Sequence, residues 1–147
     1  MQIDSRLTAR ALAGPAVLDH VHGLLDTLFA RSDLPDEDAM LFRLAVAEVA
    51  TNIIEHARAD HPITVEVEVG IRSGSLVARL GDDADPLQID LETRPMPAAD
   101  AEAGRGLPIA QAALSHLEHH VGTRGNMWSL QRDLPAQADS GPQVGDL

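Results

Sequence analysis

The stretch Glu48-Val49-Ala50-Thr51-Asn52-Ile53-Ile54-Glu55-His56 sets a carboxylate, a carboxamide and an imidazole at i, i+4 and i+8. In an α-helix each four-residue step rotates by only about 40°, so Glu48, Asn52 and His56 share one polar stripe opposite Val49 and Ile53. A carboxylate and an amide oxygen one turn apart suit a Mg²⁺ ion whose other positions are filled by water and substrate phosphates. A second candidate is Asp82, in Leu80-Gly81-Asp82-Asp83-Ala84-Asp85-Pro86-Leu87. A carboxylate at the end of an apolar strand can accept a hydrogen bond from an exocyclic amine such as that of adenine. The third is Gly104-Arg105-Gly106-Leu107-Pro108-Ile109, a glycine-rich loop opening a helix. Backbone N–H groups at a helix N-terminus bind phosphate without lysine, Pro108 is tolerated in a first turn, and Arg105 can reach a terminal phosphate. Taken singly, each feature has a plainer reading: a solvated helix face, an acidic strand-to-loop turn, an ordinary loop-to-helix junction.

Composition removes the competing chemistries. All 11 basic side chains are arginine and none is lysine. A Walker A loop, Schiff-base chemistry and the strand lysine of protein kinases are therefore excluded. With 0 cysteines there is no thiol catalysis, disulfide or cysteine metal site. A net charge of −12 disfavours nucleic acid or an anionic membrane surface as a general partner. Any bound polyanion must be held by backbone N–H groups, a metal ion or a few placed arginines. No apolar run reaches the roughly 20 residues of a membrane span. The opening Met1-Gln2-Ile3-Asp4-Ser5-Arg6 lacks the pattern of a signal peptide, so a cytoplasmic location is expected. Among the 7 histidines, His116 and His120 have i, i+4 spacing on one expected helix but no accompanying HExxH-type glutamate.

These candidates need elements to position them. A weak alternation at 2–10 suggests a first strand. Val17, Val21, Leu24, Leu25 and Leu28 recur at helical spacing, with Pro15 suited to the first turn. A second helix is expected from Asp36 to about Arg58, with Phe42, Val46, Val49, Ala50 and Ile53 as its apolar stripe and acids in its first turn. Ile63–Val69 alternates with period two, Arg72-Ser73-Gly74 makes a turn, and Ser75–Leu80 is the antiparallel partner. Residues 81–104 hold little periodicity, and a loop this long in so compact a domain is functional or disordered. Helical spacing resumes at Leu107, Ile109, Ala113, Leu114 and Leu117, with strands expected near 117–123 and 126–133. The 44% apolar content, almost without aromatics, implies an aliphatic core. The expected architecture is an α/β (α+β) two-layer sandwich: a mixed, mainly antiparallel sheet with helices on one face. Residues 1–134 form the domain and 135–147 a flexible tail.

The three spacings together resemble the GHKL ATPase superfamily, whose nucleotide site is the Bergerat fold, and within it the bacterial anti-sigma-factor serine kinases. Glu48-x-x-x-Asn52-x-x-x-His56-Ala57 matches that family's N-box. Asp82-x-Ala84-x-Pro86-Leu87 resembles its Asp-x-Gly-x-Pro-Phe box. Gly104-Arg105-Gly106-Leu107-x-Ile109 matches its second glycine box, and Gly125-Asn126-x-Trp128-x-Leu130 is similar to its last strand. The resemblance covers roughly residues 5–133. It implies ATP and Mg²⁺ as cofactors, Asn52 as the Mg²⁺ ligand and Glu48 as the general base toward a protein serine, with Arg105 assisting. It also implies Asp82 as the adenine reader and a nucleotide pocket completed by His56, Ala84, Gly104, Gly106 and Leu107. Residues 91–104 become the ATP lid. Partners implied are an anti-sigma-factor antagonist (STAS-type) domain, a sigma factor or other regulator, and a second copy in a homodimer, with no direct nucleic acid and no membrane.

Two departures from the pattern matter. Ala84 stands where the box has glycine. If that position needs positive φ, the Cβ costs roughly 1–2 kcal/mol, and ATP binding is weakened. Leu87 stands for phenylalanine. The alternative function is therefore a kinase-inactive or weakly ATP-binding regulatory module that sequesters a sigma factor or antagonist by protein–protein contact.

Overall fold

The computed structural model describes residues 5–89, 91, 106–123 and 125–136. In chain order the elements are β1 (Ser5–Leu12), α1 (Pro15–Ala30), α2 (Asp36–His56), β2 (Thr64–Arg72), β3 (Ser75–Asp82), α3 (Gly106–Ala113), β4 (His116–Gly122) and β5 (Gly125–Asp133). The strands form one sheet in the order β1-β2-β3-β5-β4. The sequence left room for a mixed sheet, but all four ladders among the described residues are antiparallel. The three helices pack on one face, α1 over β1 and β2, α2 over β3 and β5, and α3 against α2 and β4.

Period two in β2 explains why it lies flat on the helices. Val65, Val67 and Val69 are buried while Glu66 is exposed. Opposite them, Val17, Val21, Leu25 and Leu28 of α1 and Phe42, Val46, Val49 and Ile53 of α2 are buried at helical spacing. Trp128 and Phe42 are the largest side chains in an otherwise aliphatic core. Full burial of one such side chain is worth about 1.5–3 kcal/mol, so two aromatics contribute little beside the many Val, Leu and Ile residues. The β2–β3 hairpin closes on Ser73 and Gly74, both with positive φ (48° and 81°). That pair of values suits the right-handed strand twist, and glycine accepts the second without cost.

Boundaries moved where two periods compete. The first strand continues to Leu12 rather than ending at 10, the expected residues 2–4 lying outside the described ones, and α2 ends at His56, two residues before the expected limit. More telling is the end of α3. Helical spacing extends to Leu117 in the sequence, yet the helix stops at Ala113 and Leu117 belongs to β4. The Ser115 N–H donates to the Gln131 carbonyl at 2.8 Å, so the chain is captured by the sheet before another helical turn can form. His116 and His120 consequently stand on a strand, not on one helix. There, period two sets them with Glu118 on the exposed face of β4.

One ion pair ties three elements, β5, α2 and α3, together at the end of the sheet away from Asp82. Arg132 Nε donates to Asp38 Oδ1 at 2.9 Å, and its Nη1 donates to the Ala113 carbonyl at 2.7 Å. One guanidinium on β5 thereby satisfies the first turn of α2 and the last turn of α3. The side chains are only 19% and 10% exposed, so removing one partner leaves a poorly solvated charge. Asp38→Ala is expected to lower unfolding free energy by about 2 kcal/mol, below the range for fully buried pairs. Urea denaturation measures it; a change under about 0.5 kcal/mol would show that the pair does not hold the three elements together.

Candidate functional site

The site is built where α2, the end of β3 and the start of β5 meet. The β3–β5 ladder sets Asp82 directly across from Asn126. Asp82 Oδ1 accepts from the Ala84 N–H and from Asn126 Nδ2, each at 3.0 Å. Asn126 Nδ2 also donates to the Asp85 carbonyl at 3.1 Å, and Asn126 Oδ1 accepts from the Leu87 N–H at 2.9 Å. A single buried amide, 8% exposed, thus fixes the carboxylate and both sides of the loop that follows it. The loop is fastened further by Asp85 N–H to the Arg58 carbonyl at 2.8 Å and by Thr64 N–H to Asp83 Oδ1 at 2.8 Å.

Gly125 makes this arrangement possible. Its φ is +142°, and a Cβ there would lie 2.0 Å from the Asp82 carbonyl oxygen. Only glycine permits both the conformation and the approach.

The cleft beside Asp82 is lined by Asn52, Ile53, His56 and Ala57 of α2 and its cap, by Leu87 and Ile89 of the loop, and by His119, Asn126 and Trp128 of the sheet. Asn52 and His56 of one motif and Asp82 of another are therefore brought to one cleft. Its volume is only about 20 Å³, room for roughly one water molecule. A nucleotide base enters only if Leu87 and Ile89 move outward; Leu87, 43% exposed, has little packing to lose. His56 is at the rim, exposed, with Nε2 3.9 Å from Glu55 Oε1.

Glu48 faces the start of α3. A Cβ on Gly106 would sit 2.9 Å from Glu48 Oε1, so the missing side chain of Gly106 is the space the carboxylate occupies. The i, i+4, i+8 stripe thus runs from the α3 N-terminus at Glu48 to the Asp82 cleft at His56. Two other residues are placed differently. Leu107 is 3% exposed and belongs to the hydrophobic core, and Ala84 is 2% exposed and is not among the cleft's lining residues. Ser73 alone among the described non-glycine residues has positive φ, so Ala84 carries no backbone strain and the expected penalty does not arise. Gly104 and Arg105 lie outside the described residues, as does the lid segment 91–104 apart from Leu91, and the tail apart from residues 135–136.

The sequence motifs passed over His119. It is opposite Trp128 in the β4–β5 ladder, with ring centroids 4.4 Å apart and planes tilted by 57°. Burial pushes its pKa below the ordinary histidine value, the nearby Asp82 carboxylate opposing the shift and His120 adding to it. The signal was present as period two from Leu117 to Val121, once β4 is known to start at His116.

Among the described residues a Mg²⁺ ion fits the donor set as a shared ion. No group of three or more His, Asp or Glu side chains among the described residues could cage a metal. A cation would therefore be shared between one or two α2 side chains and the oxygens of a bound phosphate, the habit of Mg²⁺.

Comparison with known proteins agrees with this geometry. Residues 13–132 match the histidine kinase-like ATPase domain family, and the chain belongs to that family. Membership makes it a nucleotide-binding domain of the ATPase type and bears out the resemblance at the level of the superfamily. No curated protein sequence matches the chain. Among solved structures, the RsbU and RsbW domains of Rv1364c from Mycobacterium tuberculosis are similar at TM-score 0.63 and 20% identity, over 88% of this chain and 32% of that one. The histidine kinase domain of the blue-light activated histidine kinase from Erythrobacter litoralis EL346 is similar at TM-score 0.57 and 19% identity, over 80% and 61%. The Acinetobacter baumannii histidine kinase AdeS matches at TM-score 0.51 and 13% identity, over 87% and 68%. The chain thus spans 61% and 32% of the first two structures. At these identities the likeness shows the fold. No helix among the described residues is long and apolar enough to cross a membrane.

Two substitutions separate scaffold from chemistry. Asn126→Ala removes three hydrogen bonds from a buried site and is expected to cost about 2–3 kcal/mol in a thermal or urea melt. Loss under about 1 kcal/mol would mean the loop is held elsewhere. Ala84→Gly, by contrast, relieves no strain. It removes a buried methyl worth about 0.8 kcal/mol and loosens the chain, so calorimetry should show ATP affinity unchanged or slightly reduced. A tighter complex would show that the methyl obstructs the base.

Proposed function

We propose that this domain binds ATP with Mg²⁺ and transfers the γ-phosphoryl group to a serine of a protein partner, as an anti-sigma factor in a partner-switching circuit. The observation that supports it most is the common stripe on α2. Glu48 lies against Gly106 at the N-terminus of α3, and one and two turns further on Asn52 and His56 reach the cleft where Asp82 is fixed. A triphosphate laid along this stripe has its base end at Asp82 and its terminal phosphate at the α3 N-terminus beside Glu48.

Each residue then has one task. Asp82 accepts the adenine amine through the oxygen not already held by Ala84 and Asn126. Asn52 would hold Mg²⁺, which would supply neutralisation of the phosphate charge. Gly106 presents its backbone N–H to the phosphates, while Gly104 and Arg105, outside the described residues, are assigned to the phosphates by the sequence motif alone. Glu48 orients the serine hydroxyl and accepts its proton as the serine oxygen bonds to the γ-phosphorus. The bond from that phosphorus to the β,γ-bridging oxygen breaks, and ADP leaves. The likeness to a protein that includes an RsbW domain, and the His56-Ala57 ending of the α2 motif, favour serine over histidine as acceptor. The partners in this reading are a STAS-type antagonist domain as phosphoacceptor, a sigma factor or other regulator as client, and a second copy of the chain.

Calorimetry with and without Mg²⁺ tests the nucleotide step. Mg²⁺-dependent ATP binding that falls at least about tenfold in Asn52→Ala is expected; no binding at millimolar ATP would overturn the proposal. Transfer from γ-labelled ATP to a STAS-type domain tests the rest. Acid-stable label on serine, lost in Glu48→Ala, is expected, whereas acid-labile label on histidine would reassign the acceptor. Gly106→Ala pushes the carboxylate away at little structural cost, since the clash falls on a flexible side-chain end. Transfer should drop at least about tenfold with stability within about 1 kcal/mol of wild type; unchanged transfer would remove Glu48 from the reaction.

A further inference from the structure

His119 is part of none of the motifs that define the site, yet it occupies the cleft wall. On β4, Leu117, His119 and Val121 alternate with the exposed Glu118 and His120, so His119 is on the helix-facing side of the sheet between two aliphatic residues. Its ring rests 4.4 Å from that of Trp128, and both rings line the cleft with Asn52, His56 and Asp82. A purely packing residue here would be another aliphatic one, because partial burial of an imidazole strands its two polar nitrogens. Among the described residues neither ring nitrogen has a hydrogen-bond partner, although the ring is half buried. Among the described residues the titratable groups around it are His56 from α2, Asp82 from β3 and, on the other side of its own strand, His120; the described part of the loop contributes Leu87 and Ile89.

We infer that His119 is a base-contacting residue of the nucleotide cleft, its imidazole braced against Trp128 and hydrogen-bonding the purine whose exocyclic amine is taken by Asp82. The inference rests on the nucleotide reading above and adds to it a contact from the fourth wall. A neutral imidazole carries one N–H and one lone pair, so it can meet either a ring nitrogen or an amine of the base. The lowered pKa supports the same state, since it keeps the ring uncharged at neutral pH. Entry of a base then gives the stranded nitrogens the partner they lack in the closed cleft.

The test is calorimetric titration of the full chain at pH 7.5 with Mg²⁺, using ADP and inorganic tripolyphosphate as separate probes. His119→Val retains a strand-forming apolar residue, and His119→Gln restores one donor and one acceptor. ADP affinity is expected to fall about tenfold in the valine variant and to recover in part in the glutamine variant, with tripolyphosphate affinity unchanged in both. Equal ADP affinity in wild type and valine variant would overturn the inference while leaving the nucleotide reading intact. Parallel loss of both probes would make His119 a structural residue, and a glutamine variant no better than the valine one would remove the hydrogen bond. Wild-type protein that binds neither probe would overturn the nucleotide reading and this inference together.

Discussion

The site depends on the contact between Asn126 and Asp82 across the end of the β3–β5 ladder. Three hydrogen bonds from one carboxamide fix a carboxylate and a loop that otherwise has no secondary structure. The contact exists because Gly125 lets the two backbones approach to a distance that any Cβ would close. Carboxylate position is thereby inherited from the β3–β5 ladder rather than from the loop. The α2 stripe is rigid for a parallel reason. Its opposite face is locked by Phe42, Val46, Val49 and Ile53, so Glu48, Asn52 and His56 keep their spacing whatever the loop does.

A chain of net charge −12 is an unpromising host for a triphosphate. Long-range repulsion, however, is screened beyond about 8–10 Å at physiological salt, so the groups within reach of the phosphates decide. The described structure supplies a helix start at Gly106 and an amide at Asn52, and the sequence adds Arg105. In the proposed function a metal ion and backbone dipoles would stand in for the missing lysine. The acidic remainder of the surface is left to influence the rate at which partners approach rather than the chemistry.

Much of this was legible in the sequence because helical and strand periods are local. The 3.6-residue period of α2 fixed which side chains share a face, and period two in β2 gave its burial without reference to the rest of the fold. Legibility failed where periods overlap. Leu117 satisfies both a helix continuing from Leu107 and a strand beginning at His116. Only the hydrogen bond from Ser115 to Gln131, a long-range contact, decides between them. His119 was missed for another reason: a strand was expected near 117–123, but the residue belongs to none of the motifs, and only the β4–β5 ladder sets it beside Trp128. Ala84 failed for a different reason. A glycine in a family pattern signals either positive φ or close approach, and the sequence cannot say which. Here the positive φ and the close approach belong to Gly125, more than forty residues away in the chain.

The central claim is that a carboxylate positioned by the sheet reads the amine of a purine base. The most direct measurement is the relative affinity of the protein for ATP and inosine triphosphate, in Mg²⁺, by calorimetry. Inosine triphosphate has the same phosphates and sugar but offers a carbonyl oxygen where adenine offers its amine. A hydrogen bond to a charged group is worth about 1.5–3 kcal/mol, so ATP is expected to bind at least about tenfold more tightly, with the preference abolished in Asp82→Asn. Equal affinity for the two nucleotides in the wild-type protein would contradict the account.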